Sequence, residues 1–192
     1  MLPEKRTYAL LDLIDVKKAL SAGTATDLLR AFWNVCEDWT NHQIDHLGPL
    51  ALADGATSTP TPRLVTYSDS AFFKHEPQLS LGEFFRVVLD LKRKIEARAG
   101  RCYLVVAHGV EIEHDPPSIL VKSAGEHEWR YSNVFGSGDV VVNLWEAEGV
   151  ARHTSEWHDK YSVFYIGIEA PPMPVLDERP LRAGKLRVRA LG

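Results

Sequence analysis

The stretch YALLDLIDV, residues 8–16, is the strongest indication of the fold, because a single acid interrupts its apolar run over residues 8–14. The run from Tyr8 to Ile14 predicts a short strand that is buried on both faces of a sheet. Asp12 interrupts that run, and a buried carboxylate is costly unless it meets a cation. The stretch therefore predicts a central strand with a metal-binding aspartate near its end.

A second aspartate lies in the stretch RLVTYSDSAFF, residues 63–73. Ser68 and Asp69 separate two short β-prone segments, 63–67 and 70–73, which predicts a tight hairpin with the aspartate near its tip. Oxygen ligands at two strand ends can share divalent metal ions, and phosphoryl chemistry on a nucleotide uses two such ions. Together the aspartates predict an enzyme that acts on nucleotides.

The rest of the chain alternates helical and strand patterns. Apolar residues at helical spacing predict two amphipathic helices, over residues 28–39 and 79–97, with a long loop over residues 46–62. The later predictions are strands over residues 102–107 and 119–121, a turn-rich stretch over 123–137, a helix over 139–148 and a strand over 161–168. This order predicts an α+β sandwich, with one antiparallel sheet and its helices on one face.

The length and composition allow one good hydrophobic core, since the chain has 192 residues and is 45% hydrophobic. We expect residues 1–169 to form the catalytic domain and residues 170–192 to form a Pro-rich linker followed by a basic tail. Within that tail, residues 185–191 alternate basic and apolar side chains. This alternation favours a solvated terminal strand over a segment that docks an anion or a partner.

Charge and apolar runs exclude several classes of protein. A net charge of −4, with no basic stripe before the C-terminal tail, argues against general nucleic-acid binding. The N-terminus has too short an apolar stretch for a signal peptide, and no run approaches membrane-spanning length. We therefore expect a cytoplasmic protein that binds neither nucleic acid nor membrane, with Cys36 and Cys102 as buried free thiols.

Three segments resemble the motifs of class III nucleotidyl cyclases. They are LDLI at residues 11–14, YSDS at residues 67–70, and Phe135-Gly136 followed by VNLWE at residues 142–146. The family motifs are a strand ending in F-x-D-I, a hairpin ending in G-D-S, and a later F-G-x-x-V-N segment on a helix. The resemblance implies a ferredoxin-like βαββαβ core with additional strands, which works as a homodimer with its active sites at the interface.

The same resemblance implies an activity and its metal ions. Members of the family convert a nucleoside triphosphate into a 3′,5′-cyclic monophosphate and release pyrophosphate. Carried over to this chain, Asp12 and Asp69 hold two Mg²⁺ or Mn²⁺ ions, with the backbone carbonyl of Leu13 as a further ligand. One ion lowers the pKa of the ribose 3′-hydroxyl, and the other supports the leaving pyrophosphate.

Other positions are implied to bind the substrate. The backbone N–H groups from Ile14 to Lys17 are expected to cradle phosphate oxygens, with the side chain of Lys17 or Lys18 adding positive charge. Asn143 is expected to orient the ribose or the reacting phosphate.

Two departures from the family pattern affect this site. Members usually carry an arginine that stabilises charge on the α-phosphate where this chain has Ala147, and glycine is common where it has Asp15. Either another arginine takes this role or the enzyme is impaired. Arg152, which lies nearby in sequence, is our first candidate, with Arg63 and Arg101 as the others, and the sequence alone does not choose among the three.

The predicted strand before the hairpin lacks the lysine by which purine cyclases read the base. Tyr67 is expected to stack on or hydrogen-bond a smaller base, and Arg63 to donate to a pyrimidine carbonyl. The compact, stand-alone chain with an S-D-S hairpin looks most like the pyrimidine (uridylate or cytidylate) cyclases of bacterial Pycsar antiphage systems. This resemblance implies UTP as the favoured substrate and a separately encoded effector that binds the cyclic product. The alternatives are a catalytically degenerate nucleotide sensor and a purine cyclase.

Overall fold

The computed structural model describes residues 4–53, 63–75, 80–112, 119–122, 128–131, 138–155, 162–168, 178–183 and 186–191. Its elements are, in chain order, β1 (Glu4–Leu13), α1 (Val16–Ser21), α2 (Ala25–Ala53), β2 (Arg63–Tyr67), β3 (Ser70–Lys74), α3 (Leu81–Arg98), β4 (Cys102–Glu111), β5 (Ile119–Lys122), β6 (Glu128–Tyr131), α4 (Asp139–Ser155), β7 (Val163–Ile166), β8 (Glu178–Ala183) and β9 (Leu186–Leu191). In these ranges no helix combines the length and the apolar character needed to span a lipid bilayer.

One seven-stranded sheet carries the fold, in the order β2-β3-β1-β4-β7-β9-β8. Its first four strands pair in antiparallel fashion and, with α2 and α3, form the ferredoxin-like βαββαβ core that the family resemblance implied. Strand β1 is therefore central, and its apolar residues are buried on both faces, as its continuous apolar run predicted. Strands β5 and β6 form a separate hairpin.

Helices cover both faces of the sheet, so the prediction of helices on one face is wrong. One hydrophobic cluster joins α2 and α3 to side chains such as Leu11 and Phe73, and a second joins α4 to side chains such as Leu10 and Phe72. The prediction of a wholly antiparallel sheet is also wrong, because β4 and β7 are parallel. Parallel neighbours need a crossover connection, and α4 lies in the chain between these two strands.

Two predicted loops contain regular structure. Helix α2 continues to Ala53 through the first part of the predicted loop over residues 46–62, because the strong helix formers at residues 50–53 extend it beyond Pro49. The turn-rich stretch over residues 123–137 contains β6, whose aromatic Trp129 and Tyr131 favour a strand that pairs with β5. Residues 54–62 lie outside the described residues.

The predicted terminal strand is confirmed as β9, which pairs with β7 and with β8. Residues 178–180, which the sequence placed in a linker, belong instead to β8 at the edge of the sheet, where the lack of an N–H on Pro180 is tolerated. Residues 170–177 lie outside the described residues. The division of the chain at residue 169 stays a prediction.

Candidate active site

Asp12 lies on β1 between two hydroxyl side chains of the neighbouring strands. The strand register places it directly opposite Ser70 of β3 and Tyr103 of β4, so that all three side chains share one face of the sheet. The hydroxyl of Ser70 donates to Oδ1 of Asp12, and the hydroxyl of Tyr103 lies 2.7 Å from Oδ2. Each carboxylate oxygen of Asp12 thus has one hydroxyl partner.

Asp69 lies beside the end of β1, at the tip of the predicted hairpin. Ser68 and Asp69 form the turn between β2 and β3, and Ser68 adopts a left-handed backbone with φ 54°. The N–H of Leu13 donates to the Asp69 carbonyl at 3.1 Å, and the indole N–H of Trp33 donates to the Ser68 carbonyl at 2.8 Å. These two bonds attach the hairpin tip to β1 and α2.

The electrostatics of Asp12 favour a cation. Burial raises the pKa of its carboxyl group above the usual value, and the negative charges of Asp69 and Glu148 raise it further, while the hydrogen bonds from Ser70 and Tyr103 oppose the shift. Asp12 is 7% exposed, so its ionised form has little water to stabilise it. A divalent cation would supply the missing stabilisation.

A cavity of about 530 Å³ opens beside the two aspartates. It is lined by Asp12, Leu13, Ile14, Asp15, Val16, Lys17, Lys18, Asp69, Arg101 and Arg152. The structure therefore brings together the predicted metal ligands, the predicted phosphate-binding residues and two of the three candidate arginines, Arg101 and Arg152. Their roles stay predictions.

The donors at this cavity fit a hard divalent cation. In the described part of the chain, no three His, Cys, Asp or Glu residues are grouped as metal ligands. Two carboxylates and a backbone carbonyl nevertheless suit Mg²⁺ or Mn²⁺, because Mg²⁺ in proteins is usually held by one or two carboxylates together with water and substrate phosphates. A bound triphosphate would complete such a site.

The turn from β1 into α1 differs from the predicted phosphate cradle in two ways. The N–H of Ile14 donates to the Arg101 carbonyl at 2.9 Å and is therefore not available to a phosphate. Asp15 adopts a left-handed backbone with φ 70°, which explains why glycine suits this position. Its carboxylate forms an ion pair with Lys18 at 2.5 Å, so the acid at the cavity is partly neutralised.

A buried chain of polar contacts behind the cavity was missed by sequence reasoning. The hydroxyl of Tyr103 lies 2.8 Å from Oε1 of Glu148, and the same oxygen accepts from Nε and Nη2 of Arg152 at 2.9 and 2.7 Å. Tyr103 and Glu148 together raise the pKa of Arg152 above its usual value. The i,i+4 spacing of Glu148 and Arg152 is the one sequence signal for this contact, and it applies because α4 continues beyond the helix predicted over residues 139–148 to Ser155.

Comparison with known proteins gives structural matches only. No protein-family model and no curated protein sequence matches the chain. The crystal structure of the guanylyl cyclase Cya2 matches with a TM-score of 0.54 and 10% identity, over 99% of this chain and 92% of that one. The guanylate cyclase domain of RhGC from Catenaria anguillulae, in complex with GTP, matches with a TM-score of 0.55 and 13% identity, over 98% and 96%.

A third match is a non-canonical dimeric guanylyl cyclase domain of the RhoGC fusion protein from Blastocladiella emersonii, with a TM-score of 0.57 and 10% identity over 98% of this chain and 96% of that one. The chain has the class III cyclase fold. The predicted fold class is thereby confirmed, and identities of 10–13% carry the fold alone.

Within this cyclase fold, Asn143 does not reach the cavity of its own chain. A Cβ atom added to Gly109 would lie 3.4 Å from Nδ2 of Asn143, so the asparagine packs over the far half of β4. Gly109 and Tyr103 are separated along β4 by about 20 Å at ~3.3 Å per residue. Ala147 is fully buried between α4 and the sheet, which leaves no room for the arginine usual at its position.

The residues predicted to read the base lie on β2, beside the cavity rather than in its wall. Tyr67 is opposite Ser70 and is 77% exposed on the face of the sheet that carries Asp12. Two strand spacings separate it from Asp12, about 10 Å. Arg63 lies opposite Lys74 at the other end of β2, and its side chain is outside the described part of the structure.

The predicted buried thiols are confirmed. Cys36 and Cys102 are both free and buried, and burial raises the pKa of each to about 12. Neither thiol lines the cavity.

Proposed function

We propose that the protein is a metal-dependent nucleotidyl cyclase that converts UTP into 3′,5′-cyclic UMP and pyrophosphate. This proposal is based on one observation, namely that Asp12 and Asp69 line the same cavity as Lys17 and Arg152. Carboxylates on one side suit divalent cations, and basic side chains nearby suit a triphosphate. The cyclase fold supports the same reading.

The reaction forms a bond between the ribose 3′-oxygen and the α-phosphorus. It breaks the bond from that phosphorus to the oxygen bridging to the β-phosphate, and it releases pyrophosphate and the hydroxyl proton. Two Mg²⁺ or Mn²⁺ ions held by Asp12, Asp69 and the Leu13 carbonyl would lower the pKa of the 3′-hydroxyl and neutralise phosphate charge. Lys17 and Arg152 would bind and orient the triphosphate.

Arg152 is proposed to stabilise the negative charge that develops on the α-phosphate. A guanidinium carries five N–H donors, and Glu148 uses those on Nε and Nη2, so further donors can be directed into the cavity. Loss of one such donor typically lowers kcat by about 10²–10³-fold. We therefore expect a loss of this size in Arg152→Ala.

We also propose that the enzyme works as a homodimer with shared active sites. Asn143 is too far from the cavity of its own chain, so it can act only in the site of a second copy. On the same helix, Val142 and Trp145 are 55% and 52% exposed, which gives a partner subunit an apolar surface to cover. Dimerisation would therefore both bury these side chains and complete the site.

The preference for a pyrimidine rests on β2, which has no lysine and places Tyr67 on the open face of the sheet. A pyrimidine cyclase of this kind would act in the cytoplasm, as the source of a second messenger in antiphage defence, and a separately encoded effector would bind the product. Asp15 favours one other function, a nucleotide sensor without turnover, because its negative charge lies at the cavity that would bind phosphates.

Product analysis with four substrates tests these proposals. The purified protein is incubated with Mn²⁺ and each of ATP, GTP, CTP and UTP, and the products are separated by chromatography with mass detection. Cyclic UMP as the main product, absent from Asp69→Ala, supports the proposal. Cyclic AMP or cyclic GMP as the main product would identify a purine cyclase, and stoichiometric binding without any product would favour the sensor.

A further inference from the structure

We propose that Tyr103 and Glu148 are positioning residues that fix the metal ligand Asp12 and the anion-facing Arg152 relative to each other. This proposal rests on the proposed function, because it assigns a cation to Asp12 and a phosphate to Arg152. The contacts themselves are observed in the structure. No motif of the sequence singles out either residue.

The contact between Tyr103 and Asp12 fixes the metal-binding side of the cavity. Tyr103 is 2% exposed, and its ring packs edge-on against Phe164 with the ring centroids 6.4 Å apart. A ring held in this way presents its hydroxyl at a fixed point, 2.7 Å from Oδ2 of Asp12. Partners of this kind orient metal-binding side chains, and their loss typically weakens metal binding about 10–100-fold.

The contact between Glu148 and Arg152 fixes the anion-binding side of the cavity. Glu148 is 8% exposed, so its carboxylate depends on protein partners in place of water. Its Oε1 atom has three of them, namely the Tyr103 hydroxyl and the Nε and Nη2 atoms of Arg152. The side chain of Arg152 is 57% exposed and would otherwise be free to sample many rotamers at the cavity edge.

The hydroxyl of Tyr103 connects these two contacts, because it lies within hydrogen-bond distance of the carboxylates of both Asp12 and Glu148. The Tyr103 hydroxyl therefore links Asp12, the side chain proposed to bind cations, to the carboxylate that holds Arg152, the side chain proposed to bind anions. The consequence is a separation of effects. Loss of the Tyr103 hydroxyl should weaken metal binding alone, and loss of the Glu148 charge should weaken anion binding.

The first experiment measures Mn²⁺ affinity by electron paramagnetic resonance, without nucleotide. Tyr103→Phe keeps the ring and removes the hydroxyl, and we expect it to weaken Mn²⁺ binding about tenfold. The matched control is Tyr8→Phe, since Tyr8 is also fully buried and its hydroxyl also donates to a carboxylate, that of Glu111, away from the cavity. Mn²⁺ affinity within twofold of the parent protein in Tyr103→Phe, or an equal loss in Tyr8→Phe, would overturn the proposal.

The second experiment measures pyrophosphate affinity by calorimetry without metal. Removal of a negative charge near an anion site should by itself tighten pyrophosphate binding, whereas loss of the hold on Arg152 should weaken it. We expect Glu148→Gln to bind pyrophosphate about fivefold more weakly, since a charge-assisted bond becomes a neutral one. Tyr103→Phe should remain within twofold of the parent protein.

Tighter binding of pyrophosphate by Glu148→Gln would overturn the role of Glu148. Arg152→Lys keeps the charge but loses the paired contact with Glu148, and it should show the same weakening if Glu148→Gln fails to fold. Both experiments measure binding alone. If no nucleotide is cyclised but the expected losses appear, the proposed function fails and the positioning pair stands.

Discussion

Replacement of Asp12 by asparagine should stabilise the metal-free protein and abolish its response to metal. Folding of the parent protein raises the pKa of this buried carboxyl group. The protonated carboxyl therefore stabilises the fold at pH values below its pKa in the unfolded state, and this stabilisation is lost as the pH rises through its pKa in the folded state. At pH 8 the ionised Asp12 is therefore a cost to the metal-free fold. Asparagine has the same shape and carries no charge.

The contacts of Asp12 indicate the size of this effect. The amide oxygen of an asparagine can accept from Ser70, and its NH₂ group can donate to Tyr103, which then donates to Glu148. Every group stays satisfied, and one buried charge is removed. We expect a gain of about 1 kcal/mol in the free energy of unfolding, which corresponds to about 2–4 °C in Tm for a chain of this size.

The assay is thermal unfolding at pH 8 with and without Mn²⁺. At about 100 times its Kd, a ligand that binds only the folded state adds ~2.7 kcal/mol, or roughly 5–11 °C in Tm. The parent protein should show this shift, and Asp12→Asn should show none while melting higher without metal. A lower Tm for Asp12→Asn than for the parent protein without metal would show that the ionised Asp12 does not destabilise the fold, and a full Mn²⁺ shift in this variant would show that Asp12 does not bind the metal.

Three further predictions test neighbouring parts of the site. Asp15→Gly relieves the strain of the left-handed backbone and removes a negative charge from the cavity. It should lower KM for the triphosphate several-fold, with a free energy of unfolding within about 0.5 kcal/mol of the parent protein. In chemical denaturation, Asp15→Ala should be less stable than Asp15→Gly. Trp33→Phe removes the indole N–H that donates to the Ser68 carbonyl. Mn²⁺ titration should show severalfold weaker binding, consistent with the loss of about 1 kcal/mol for one hydrogen bond. Unchanged Mn²⁺ affinity would mean that the hairpin tip keeps its position without this hydrogen bond. A mixture of Asp12→Asn and Asn143→Ala chains, each inactive alone, should recover about a quarter of parental turnover, because half of the dimers then hold one complete site. No recovery would mean that Asn143 does not act in the site of the partner subunit.

Sequence reasoning found the site where its signals were local. Strand β1, the hairpin around Asp69 and the helix α3 each follow from a period or a turn signal within a few residues, and the capping box of Ser80 and Glu83 begins α3 close to its predicted start. The two aspartates meet because the ends of neighbouring strands meet. That step needed only the order of the elements.

The parts that sequence reasoning missed depend on contacts between distant segments. Tyr103 is separated from Asp12 by 91 positions and from Glu148 by 45, and nothing in either segment indicates that these side chains share a hydroxyl. The position of α4 on the opposite face of the sheet depends on its crossover from β4 to β7, which a pattern of apolar residues does not specify. The left-handed backbone of Asp15 likewise became evident only from the folded turn.

The stoichiometry of the products from UTP and Mn²⁺ tests directly whether the protein is a metal-dependent uridylate cyclase. The reaction is followed for cyclic UMP by mass detection and for pyrophosphate by a coupled assay, with Asp12→Asn and Tyr8→Phe as the paired variants. We expect equal amounts of the two products from the parent protein and from Tyr8→Phe, and neither product from Asp12→Asn, since a uridylate cyclase needs this metal ligand. Equal turnover by Asp12→Asn and the parent protein would contradict it.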